Sequence, residues 1–142
     1  MEKSPEELYN EREKRVMDTI QLKVPDRVPI APFTGFFPAK YSGITCQEAM
    51  YDYDKAYKAW KKAIIDFGWD MVLNPHYAYS GPAFEALDFK QLKWPGHGVD
   101  RNHTYQFVEG EYMKADEYDK FLEDPSDWII RTYLPRICGA LE

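Results

Sequence analysis

Cysteine and histidine are scarce in this chain, two of the former and three of the latter in 142 residues. The thiols, Cys46 and Cys138, stand far apart with no Cys-x-x-Cys pairing. Neither a disulfide framework nor a thiolate zinc site can be read from them, and reduced thiols in a cytoplasmic protein are the expectation. Positive charge is also in deficit, 18 Lys and Arg against 24 Asp and Glu for a net charge of −6. Without a basic stripe, nucleic acid is excluded as a partner, and so is a basic amphipathic anchor on a membrane surface. No segment approaches the roughly 18 apolar residues that cross a bilayer. The opening Met-Glu-Lys-Ser-Pro-Glu-Glu is acidic and lacks the apolar stretch of a secretory signal. Gly-x-Gly-x-x-Gly, P-loop, Gly-x-Ser-x-Gly and His-Glu-x-x-His patterns are all missing.

What is present is concentrated between Pro25 and Pro75. Pro25-Asp26-Arg27-Val28-Pro29-Ile30-Ala31-Pro32-Phe33 reads as a short apolar strand, followed by a Gly, Pro and aromatic loop. An amphipathic segment from Thr45 to Phe67 reads as a crossover helix: Thr45 and Glu48 form a capping box. Ala49, Tyr53, Ala56, Tyr57, Trp60, Ala63, Ile64 and Phe67 recur at helical spacing, and Gly68 stands where a left-handed cap belongs. Gly68-Trp69-Asp70-Met71-Val72-Leu73-Asn74-Pro75 is the second strand. Strand, helix and strand make one right-handed βαβ unit, and ligands approach such a unit at the strand carboxyl ends.

Around that unit the chain is read as one α/β domain over 1–142. It has an N-terminal helix within 1–24, the βαβ unit at 25–79, and a β-ribbon with helices at 80–142. Ser4 and Glu7 make the first capping box, with Pro5 at the first helical position. Leu8, Val16 and Ile20 are its expected apolar face; Arg12, Glu13, Lys14 and Arg15 are expected in water, with Pro25 ending the helix. Phe89–Trp94 and Thr104–Val108 alternate as half-exposed strands. Farther on, Asp116, Glu117 and Asp119 suit a helix start, and Asp124-Pro125 stops that helix. A last helix is expected to bury Trp128, Ile129, Ile130, Tyr133 and Leu134 and to kink or end at Pro135. The closing residues, Arg136 to Glu142, read as an interruption of a longer chain.

Candidate ligand contacts follow from strand geometry. Phe33 and Phe36 would wall a small substrate, Asn74 and His76 would orient it, and Tyr79 would complete the lining. His97, Asp100 and His103 lie within seven residues. Their spacing matches no metal motif, a polar ribbon tip accounts for them, and no metal ligand is assigned. No catalytic residue is assigned either.

The chain resembles the opening of the uroporphyrinogen decarboxylase superfamily. The likeness rests on Arg15-Val16, Pro25-Asp26-Arg27-Val28-Pro29-Ile30, Asp66-Phe67-Gly68-Trp69-Asp70, Asp116-Glu117-Tyr118-Asp119 and Asp124-Pro125. It implies the N-terminal portion of a TIM (β/α)8 barrel, whose full length is about 250 residues. Decarboxylases of the family carry arginines after the first strand and an aspartate after the second. Here Thr34-Gly35-Phe36-Phe37-Pro38-Ala39 and Asn74-Pro75-His76 stand in those places. The resemblance therefore implies the corrinoid-dependent methyltransferase-like branch, moving a methyl group from a small methylated or methoxylated compound to a corrinoid protein. In that family the zinc ligands, a His-x-Cys pair and a later Cys, belong to the second half of the barrel. This portion alone is expected to bind no cofactor and to be inactive, with zinc and a partner-borne corrinoid belonging to the parent. Two alternatives remain: a non-catalytic binding or assembly module of the same fold, and a tetrapyrrole decarboxylase. An open barrel edge also implies self-association or a complementing chain.

Overall fold

The computed structural model describes residues 3–72 and 78–142. The fold mixes helices with a small three-stranded sheet, as an α/β reading requires at its coarsest. Two compact units form, Met1–Ile44 with Asp54–Ala78 and Thr45–Tyr53 with Tyr79–Glu142.

The first unit begins with α1 (Pro5–Ile20), whose Ser4–Glu7 capping box is reciprocal: each partner bonds the other's backbone N–H. The helix stops at Ile20 rather than at Pro25, because Leu22 takes a left-handed φ of 59° and breaks the helical repeat. Its buried residue is Arg15, which the sequence pattern places in water; Leu8 and Ile20 are exposed. Residues 25–33 do not form the expected strand. Pro25, Pro29 and Pro32 each lack the N–H a ladder needs, which is the physical reason. One trace of parallel pairing remains: Asp70 N and Met71 N both donate to Ile30 O, at 2.9 and 3.3 Å. The second expected strand lies partly outside the described residues. α2 (Phe37–Tyr41) follows the first loop, and α4 (Tyr53–Phe67) buries Ala56, Ala59, Trp60 and Ala63. Tyr53, Tyr57 and Phe67 of the expected apolar stripe are largely exposed. Gly68 ends the helix with φ +59°, which glycine adopts without a Cβ penalty.

The crossover helix is two helices. α3 (Cys46–Tyr51) carries the Thr45–Glu48 capping box, and Asp52, with φ −117° and ψ 92°, separates it from α4. Aspartate competes for backbone bonds and favours helix ends over interiors. The break sends α3 into the second unit, where it packs against α5 (Gly81–Leu87) and β1 (Leu92–Pro95).

The expected ribbon is there. β1 pairs antiparallel with β3 (Gln106–Phe107) in the register Leu92↔Phe107 and Lys93↔Gln106. On its other side β2 (Gly98–Val99) returns after a tight loop, with Trp94 N and His97 N exchanging bonds with each other's carbonyls. Gly96 and Gly98 have φ of +85° and +81°, a conformation that a side chain at either position would strain.

α6 (Tyr118–Glu123), α7 (Pro125–Trp128), a π-helical turn (Ile129–Tyr133) and α8 (Leu134–Ile137) complete the unit. Asp124 caps α7 by accepting from Ser126 N and Asp127 N. The helical path passes through Pro135 instead of ending there. Leu134 N–H reaches back to Ile129 O, a five-residue step, and this widening accommodates a residue that has no N–H. It also rotates the buried face, since one extra residue is about 100° of helix. Of the side chains expected in the core Trp128 is buried, Tyr133 and Leu134 are half-buried, and Ile129 and Ile130 face outward.

Candidate functional site

Of the five residues proposed to line a substrate site, the structure describes Phe33, Phe36 and Tyr79. Phe33 is 88% exposed, whereas Phe36 is buried beside α2 in the first unit. Asn74 and His76 lie outside the described residues. Tyr79 belongs to the second unit, where its ring meets Phe84 at 5.5 Å and Tyr105 at 5.2 Å. Its backbone N–H donates to the Tyr105 hydroxyl at 2.8 Å. Burial pushes that phenol up to about 12.

The first unit instead brings together the ends of its motifs. Arg15 forks onto Asp26 through Nε and Nη2, both at 2.7 Å, and reaches Asp70 through Nη1 at 2.5 Å and Glu11 at 2.9 Å. Arg27 grips the same Asp70 carboxylate at 2.6 and 2.8 Å, and Ile30 N donates to it at 2.8 Å. The Asp70 side chain has no exposed surface. Burial alone would raise its carboxyl, but Arg27, the Ile30 N–H and Arg15 outweigh burial and leave it below the usual range. The Arg15 hydrogen bonds hold Asp26 at about 2. This network joins α1, the Pro25–Ile30 segment and the residues after α4, so its chemistry is fastening. A sequence pattern could have flagged it only by asking which partner Arg15 would need if buried.

The second unit holds a denser constellation of reactive groups. Glu85 Oε1, on α5, accepts from the Tyr51 hydroxyl of α3 at 2.6 Å and lies 2.7 Å from His97 Nε2 in the glycine-flanked loop. Trp94 Nε1 donates to the Tyr51 oxygen at 3.1 Å, and its ring stacks on His97 at 4.9 Å and 17°. Burial, and then the bond to Glu85, raise the Tyr51 phenol. Gly81 is what lets the Tyr51 ring lie against α5, because a Cβ there would fall onto the ring.

No family model, curated protein or solved structure matches the chain.

His97 does not join its sequence neighbours. Asp100 Oδ1 accepts from Asn102 N and Asp100 O from His103 N, closing the ribbon tip as a polar turn. Among the described residues no three His, Cys, Asp or Glu side chains gather as a metal ion would need. Cys46 and Cys138 are both buried and not joined by a disulfide, and the Cys46 thiol donates to Asn102 O at 3.4 Å. No helix among the described residues is long and apolar enough to cross a membrane. Sequence reasoning missed Glu85 and Tyr51, whose partnership with His97 arises from three separate elements. The two glycines beside His97 were the available hint that its loop is tightly held.

Proposed function

We propose that this chain is the N-terminal portion of a TIM barrel of the uroporphyrinogen decarboxylase superfamily, and that the parent moves a methyl group from a small methylated or methoxylated compound to a corrinoid protein in the cytoplasm. The observation that carries the reading is the Asp70 carboxylate. It is the meeting point of three segments on which the resemblance rests, Arg15, Asp26-Arg27 with Ile30, and the Gly68-Trp69-Asp70 turn. A barrel needs its N-terminal helix, its first strand segment and its second strand segment fastened at one end, leaving the other end for a ligand. Asp70 ties these three segments to one another, which supports that reading, and Phe33 is exposed.

Within this portion Phe33, Phe36, Asn74, His76 and Tyr79 supply the first part of the substrate lining. The zinc ligands that the resemblance implies, a His-x-Cys pair and a later Cys, would come from the second half of the barrel. The Thr34–Ala39 loop has no arginine to hold a carboxylated tetrapyrrole, which disfavours decarboxylation. A second reading, an assembly module without catalysis, draws on the exposure of Leu22 and Val24, both at 94%, and of Val28 and Phe33. Such side chains suit burial by another segment or chain.

The test is to read the gene past Glu142 and assay the complete product. Under the proposal the frame continues to a His-x-Cys pair and a later Cys. The full protein then consumes cob(I)alamin in the presence of a methylated donor, followed by loss of its absorbance. A frame without those ligands sinks the methyltransferase reading in favour of the assembly module.

A further inference from the structure

Tyr51, Glu85 and His97 have so far no part in the proposed function, yet they bring a phenol, a carboxylate and an imidazole to one point. We propose that these three side chains form a binding site for a hard transition-metal ion, ferric iron being the ion that their chemistry fits. The donors are two oxygens and one nitrogen with no sulfur, a set that disfavours copper(I) and other soft ions. A phenolate oxygen is a strong donor to a trivalent ion and a rare one in zinc sites, which take Cys, His and carboxylate.

The geometry suits a seat that is nearly formed. The Tyr51 oxygen and His97 Nε2 lie 2.6 and 2.7 Å from the same Glu85 oxygen. Ligands held at about 2.0–2.2 Å around one ion sit about 3 Å from one another, so each of these two contacts to Glu85 would open by a few tenths of an ångström as the ion enters. The side chains of His97 and Glu85 are 44% and 45% exposed, which leaves room for water to complete the coordination.

Supporting contacts orient each ligand from behind, as metal sites require. Trp94 donates its indole N–H to the Tyr51 oxygen, which orients the phenol, and its ring stacks on His97 and fixes that plane. Gly96 and Gly98 hold the loop that presents His97, and Ser80 caps α5, which presents Glu85. Binding releases the Tyr51 proton to solvent and forms oxygen–metal and nitrogen–metal bonds; no electron is transferred.

The experiment is titration of the full chain with ferric nitrilotriacetate, followed by visible absorption. A phenolate bound to ferric iron gives a charge-transfer band that neither the chelate nor free tyrosine has. The expected result is a band that saturates at one equivalent, is lost in Tyr51→Phe and persists in Tyr53→Phe, whose hydroxyl instead meets Ser80 Oγ at 2.7 Å. Glu85→Gln, which keeps the shape of the side chain, is expected to weaken binding by about tenfold or more. Far-UV circular dichroism checks that each variant folds; should Tyr51→Phe not fold, the Glu85→Gln titration decides alone. Absence of the band in the unaltered chain, its survival in Tyr51→Phe, unchanged affinity in Glu85→Gln, or zinc binding at these residues without a ferric band would each overturn the proposal.

Discussion

Replacing Asp70 by asparagine tests what holds the first unit together. The substitution keeps the shape of the side chain and removes the charge that two guanidinium groups share. Arg15, with only 3% of its side chain exposed, loses one partner but keeps the two-pronged contact with Asp26 and the bond to Glu11. Arg27 is more exposed and can turn to water. Removing one member of a buried ion pair costs about 3–5 kcal/mol, and the surviving Asp26 contact puts this case near the lower end, about 3 kcal/mol. A unit of this size unfolds in urea with a slope of about 1 kcal/mol per molar, so the midpoint should fall by about 3 M. Urea titration followed by Trp fluorescence is suitable, since Trp69 is buried next to the substituted position. Glu6→Gln, at an exposed site on α1, serves as the control. A midpoint within about 0.5 M of that control would refute the reasoning, since a buried charge left short of partners cannot be that cheap.

Acid should weaken both units through their arginine-held carboxylates. Asp26, held at about 2 by Arg15, and Glu117, held at about 2 by Arg136 and then by the Lys114 N–H, have folded values below their ordinary ones of 3.8 and 4.5. Each contributes stability that is full above the ordinary value and is lost as the pH falls towards about 2. Acid titration of ellipticity should therefore fall within that window, and Arg136→Gln should move the second unit's transition to higher pH. At the alkaline end the sign reverses. Tyr105, raised by burial to about 12 from 10.0, favours the folded state below pH 10 and loses that contribution as the pH climbs towards 12. Ultraviolet titration should show a late tyrosinate step that is missing in Tyr105→Phe. Gly81→Ala should destabilise the second unit by about 1–3 kcal/mol, read as a lower thermal midpoint, because the added methyl meets the Tyr51 ring. Pro135→Ala restores an N–H and should shift the Ile129–Tyr133 turn towards ordinary α-helical bonding, visible as new amide protection at residue 135 in hydrogen exchange.

Local signals carried much of the secondary structure. The Ser4–Glu7 and Thr45–Glu48 boxes, Gly68 as a left-handed cap and the Phe89–Val108 ribbon are written in adjacent residues, because capping and alternation need only neighbours three or fewer positions away. The three prolines at 25, 29 and 32 were equally plain, and they outweighed the apolar composition that suggested a strand. Tertiary structure alone decided the rest. Arg15 looked like one charge in a charged run, and its burial follows from carboxylates at 26 and 70 that only the folded chain brings to it. The Thr45–Phe67 segment has one continuous helical pattern, yet it divides at Asp52, and α3 packs on α5 and β1. The same holds for Tyr51, Glu85 and His97. Each is unremarkable in its own stretch, and their chemistry exists only where three separate elements meet, since a shared proton or metal needs atoms within about 3 Å whatever their distance along the chain.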